Sequence, residues 1–128
     1  MSEHEKSSQR EEHEAARDVA FGEFETLFPR LMECLAKERP GQKANAELIA
    51  LRKTAFTLAK KLSAIEGVLY PDRIKRHSLG DSGVKKFEDC MAILHSFIGY
   101  AELKEYDSSF DLGSVSRDLK NAYKNCSL

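Results

Sequence analysis

Apolar residues recur in four stretches of this chain at alternating spacings of three and four positions, the period of one helix face and not of a strand. The first seam is Phe21, Phe24, Phe28, Leu31 and Leu35, and the second is Leu48, Leu51, Ala55, Leu58, Leu62, Ile65 and Leu69. The third is Val84, Phe87, Met91, Leu94, Ile98 and Ala101, and the fourth is Leu112, Val115, Leu119, Ala122 and Cys126. A helix with one apolar stripe must hide it against another element. At 128 residues the chain is long enough for one core and hardly more, so residues 1–128 are expected to form a single all-α domain, an antiparallel four-helix bundle.

The punctuation agrees. Arg39-Pro40-Gly41 should stop the first helix, and Gly67 and Pro71 bracket the end of the second. Ser82 is a candidate N-cap for the third helix, and Asp111 or Ser114 for the fourth, after the turn-rich Asp107-Ser108-Ser109. Pro29 falls inside the first seam, but the register holds from Phe24 to Leu31, so a kink is expected there and not a break. Residues 1–18 carry no apolar seam and read as a polar, solvent-facing helical extension or a frayed tail, with Arg10, Glu14 and Arg17 at spacings where opposite charges support a helix.

Helix lengths bear on assembly. At about 1.5 Å per residue the first three helices run roughly 35 to 40 Å and the fourth only about 20 Å, which leaves one groove partly open. The segment from Tyr70 to Ser82, with a short helical turn from Pro71 to His77, or a second copy of the chain, could cover it. In the third helix Cys90, Ile93, Phe97 and Tyr100 widen the apolar arc past the seam, and Ala92, Ser96 and Gly99 put small residues on its other flank. That surplus predicts a homodimer in which Ile93, Phe97 and Tyr100 are the anchors.

Charge excludes some functions. With 20 Lys+Arg against 21 Asp+Glu, the chain has no overall electrostatic reason to hold nucleic acid or an anionic membrane. No apolar run is long enough to span a bilayer, and the first twenty residues lack the apolar core of an export signal. Cys34, Cys90 and Cys126 are odd in number and widely spaced, which suits reduced thiols in a cytoplasmic protein and neither a disulfide framework nor a zinc site. The charge is nevertheless polarised: acids dominate residues 1–38, and bases dominate residues 60–86. Arg73, Lys75, Arg76 and His77 bunch in the second region as a possible contact for an anionic ligand, against the simpler reading of a solvated loop.

His77 is the one residue that invites a reactive role. The run from His77 to Gly83 bears a faint similarity to the phosphoaccepting histidine of phosphotransfer domains, which are also four-helix bundles. Those place a lysine and a glycine soon after the histidine, and no lysine follows closely here. Arg73 and His77 also bear comparison with the arginine and histidine of helical metal-independent RNases, at a shorter spacing. Neither family is assigned. The paired Glu-x-x-His elements of di-iron bundles are absent from the sequence, as are Gly-rich phosphate loops, so no cofactor, metal or catalytic residue is expected. The expectation is a small cytoplasmic interaction or regulatory module that self-associates. The alternative is a phosphoryl-transfer or RNA-cleaving domain centred on His77 with Arg73 and Arg76.

Overall fold

The computed structural model describes the backbone of residues 3–80 and 82–125, and the side chains of these except residues 3–8 and 77. Among the described residues the chain is helical with no strand: α1 (Glu3–Lys37), α2 (Ala46–Leu69), α3 (Arg73–Ser78), α4 (Ser82–Tyr106) and α5 (Gly113–Lys124). Four of these are the seam-bearing helices, and α3 is the short turn expected between the second and third seams.

Cross-links between helices give their directions. Along α1 and α2 the pairs are Lys37–Glu47 at 3.8 Å, Glu23–Lys61 at 3.2 Å and Arg17–Tyr70 at 3.2 Å, so late residues of one helix meet early residues of the other. Arg52 of α2 meets Glu105 of α4, and Tyr70, just after α2, meets Phe87 of α4, again in opposite sense. α5 closes the ring by packing on both α4 and α1. Its Tyr123 stacks on Phe28 with ring centroids 4.0 Å apart.

The four seams form most of the core, with Leu27, Cys34, Ala59, Cys90, Ile93 and Phe97 among the residues buried beside them. Every residue of the first two seams is buried, as are Val84, Phe87, Leu94, Ile98 and Ala101 of the third and Leu112, Val115 and Leu119 of the fourth. Met91 is half-buried and Ala122 is exposed, while Cys126 lies outside the described residues. α1 passes through Pro29 unbroken. The proline lies on the exposed side of the helix, where the lost amide hydrogen bond can be taken over by water.

Helix ends mostly follow local chemistry. Gly41 at φ 84° turns the chain after α1, a conformation that side chains with a Cβ resist. Asn45 caps α2 by accepting a hydrogen bond from the Glu47 amide at 2.7 Å. Gly67 lies within α2 and does not end it; the helix runs on to Leu69, two residues short of Pro71. Asp111 does accept a first-turn amide of α5, that of Gly113 at 2.9 Å, although Leu112 holds the cap position. Ser82, the candidate cap, is instead the first residue of α4, and residue 81 lies outside the described residues.

Candidate functional site

The end of the bundle that carries α3 combines apolar exposure with concentrated charge. Pro71 cannot continue α2, so the chain turns at Tyr70 and winds one short helix before Gly80, at φ 77°, turns it again. Tyr70 anchors this turn. Its ring is buried against Phe87, its hydroxyl accepts from Arg17, and the Arg76 guanidinium lies over its face at 5.9 Å. Around that anchor the large aliphatics face water: Ile74 is 79% exposed, Leu79 76% and Val68, in the last turn of α2, 43%. Among the described residues the backbone of α3 packs against α4, and its Arg73 side chain reaches Glu66 of α2.

The predicted basic residues are not equivalent. Arg73 reaches Glu66 at 2.7 Å and Arg76 reaches Asp72 at 2.8 Å, so each guanidinium is held by a different carboxylate of the chain. Lys75 is exposed. The His77 side chain lies outside the described residues, and its backbone is part of α3 rather than a loop. With both arginines already engaged, the geometry provides no free guanidinium pair for a phosphate.

Of the three expected anchors on α4, two are corrected. Phe97 is fully buried and Ile93 nearly so, both inside the single chain. The reason is that α4 is the most surrounded helix of the bundle, touching α1, α2, α3 and α5. An apolar arc wider than one seam is what such a position requires. The small residues Ala92 and Ser96 face Leu119 and Ala122 of α5 across a small cavity that Asp89 also lines, so the close approach they permit is to α5. Tyr100 is half-buried and stacks on Phe110, centroids 6.0 Å apart. His95 of α4 is exposed.

At the opposite end of the bundle stands a residue that apolar patterning passes over. Lys104 is 1% exposed, and its ammonium donates to the backbone carbonyls of Ser108 at 2.6 Å, Arg39 at 2.7 Å and, more loosely, Phe110 at 3.4 Å. The Ser108 carbonyl also accepts from the Gly41 amide at 2.8 Å. Glu38, also buried, accepts from the Asn45 amide at 3.1 Å. Together these bonds tie the α1–α2 connection to the α4–α5 connection. The only sequence signal was register: counting on by three from Ile98 and Ala101 lands on Lys104.

Reactive chemistry is not favoured by the remaining groups. Cys34 and Cys90 are buried and in no disulfide among the described residues, and burial pushes the Cys34 thiol up to about 11, which suppresses the nucleophilic thiolate. Among the described residues no cluster of His, Cys, Asp or Glu could hold a metal ion, and no helix is long and apolar enough to cross a membrane. One oxygen of Asp89, at the cavity between α4 and α5, is buried without a hydrogen-bond partner. Comparison with protein-family models, with curated proteins and with solved structures finds no match for the chain.

Proposed function

We propose that the protein is a small cytoplasmic interaction module, regulatory in role, that self-associates through the end of the bundle carrying α3. The observation that carries this reading is the exposure of Ile74 on the six-residue α3 and of Leu79 just after it, at the end of the bundle where Val68 and the cationic Lys75 are also exposed. Single exposed aliphatics are ordinary on a protein surface, but three at one end, rimmed by charge, make a contact surface. Burying a side chain of this size is worth roughly 1.5 to 3 kcal/mol, enough for a few such residues to hold a modest interface together. The two buried, reduced cysteines support a reducing compartment. Self-association through this end replaces the face around Ile93 and Phe97, whose side chains are occupied within the chain.

The test is sedimentation velocity at micromolar concentration on the full chain and on a variant carrying Ile74→Asp and Leu79→Asp, with far-UV circular dichroism as the control for folding. The native chain should sediment as a dimer and the variant as a folded monomer. A native chain that is monomeric, or a folded variant that remains dimeric, would remove this reading.

A further inference from the structure

α1 does not stop where the bundle stops. Arg17 is level with Tyr70, the residue that ends α2, so residues 3–16 of α1 run past that end by about 20 Å at roughly 1.5 Å per residue. Its described side chains make local contacts: Arg10 pairs with Glu14 at 3.2 Å, and His13 bonds the carbonyl of Gln9 at 2.7 Å. An isolated helix of this length is marginal in water, and one such ion pair adds only about 0.2 to 0.5 kcal/mol.

The arm and the α3 end carry opposite charge. Over residues 1–18 the acids Glu3, Glu5, Glu11, Glu12, Glu14 and Asp18 outnumber Lys6, Arg10 and Arg17. Over residues 71–86 the bases Arg73, Lys75, Arg76, Lys85 and Lys86 outnumber Asp72 and Asp81. Local pairing neutralises part of each set, but Glu11, Glu12, Lys75 and Lys85 are exposed and form no ion pair with the described residues. Within its own chain the arm does not use these bases: among the described residues no ion pair joins residues 9–16 to residues 71–86, and α1 continues as one helix past Tyr70.

We propose that the acidic arm of each copy lies across α3 and the first turn of α4 of a second copy, so that two arms are exchanged about a two-fold axis. This rests on the reading of the α3 end as the self-association surface and names its occupant. A two-fold axis makes every contact occur twice, and it brings each arm to the nearest basic surface that a straight helix can reach. Ile74 and Leu79 would then be covered by the stems and alanines of the arm, Ala15 and Ala16 among them.

Charge exchange tests this without touching the core. One variant carries Glu11→Lys and Glu12→Lys, and the other carries Lys75→Glu and Lys85→Glu. Each alone should weaken its homodimer by about tenfold or more, since every reversed pair recurs across the axis. An equimolar mixture should recover a heterodimer near native affinity, because both of its arm contacts again join opposite charges. Added salt should weaken the native dimer. A mixture that stays monomeric, or single-arm variants that dimerise like the native chain, would overturn the exchange. If those variants dimerise normally while Ile74→Asp with Leu79→Asp dissociates, the α3 end is the interface and the arm is not its occupant. A monomeric native chain defeats both.

Discussion

Replacing Lys104 by Met removes a buried charge while keeping a flexible stem of similar length, and it separates two opposing energies. In the native chain the ammonium makes two short hydrogen bonds to the Arg39 and Ser108 carbonyls and a longer one to Phe110. Bonds from a charged donor are worth about 1.5 to 3 kcal/mol each, so the gross loss from the two short ones is on the order of 3 to 6 kcal/mol. Three effects reduce it. The Ser108 carbonyl keeps its bond from Gly41, Arg39 and Ser108 lie in exposed turns where water can reach, and the variant no longer desolvates an ammonium, which costs several kcal/mol per ion. The expected net destabilisation is about 2 kcal/mol. With a urea slope of roughly 2 kcal/mol per molar, the midpoint should fall by about 1 M. Urea unfolding followed by far-UV circular dichroism measures it. A midpoint equal to or above that of the native chain would mean that desolvation outweighs the three carbonyl bonds, and the account of Lys104 as the tie between two connections would be refuted.

Phe97→Ala should cost about 3 to 5 kcal/mol, the usual penalty for emptying a fully buried aromatic site, read as a large drop in thermal midpoint; a normally stable monomer with altered assembly would restore Phe97 to an interface. Cys34 should resist thiol reagents at pH 8 in the folded chain and react on unfolding. Its folded pKa stands above the ordinary 9.0, at about 11, so between these values the unfolded chain releases a proton that the folded chain keeps, and stability falls as pH rises across that window. Urea unfolding of the native chain and of Cys34→Ala at pH 8 and pH 10.5 checks the sign: the variant should lose less stability over the interval, and an equal loss would contradict the burial argument.

The face of each helix that turns inward was legible from local spacing, because burial of an apolar stripe leaves its period in the residues themselves. Phe24, Leu62, Leu94 and Leu119 are buried as their seams require. Residues of dual use were not legible. Ile93 and Phe97 read equally well as a surface for another molecule or as the inside of a well-surrounded helix, since periodicity records that a side is apolar and not which neighbour covers it. α5, short as it is, takes that side of α4, and Ala92 and Ser96 admit it. The candidate site divides in the same way: the concentration of bases at residues 73–76 stood in the sequence, whereas the occupation of Arg73 by Glu66 and of Arg76 by Asp72 depends on the path of the turn at Tyr70.

By itself, then, the order of residues determined that this chain is helical, where the chain turns between its helices, and the central seam that each helix hides, all properties set within a few positions along the backbone. Tertiary structure alone decided what each stripe hides against and which charges are satisfied. Lys104 is the plainest case: a lysine in a core register is stable there because the Arg39 carbonyl, 65 positions away, joins the Ser108 and Phe110 carbonyls of the turn that follows α4. The local turn supplies two of those carbonyls, and the fold alone brings the third, from Arg39, and buries the charge.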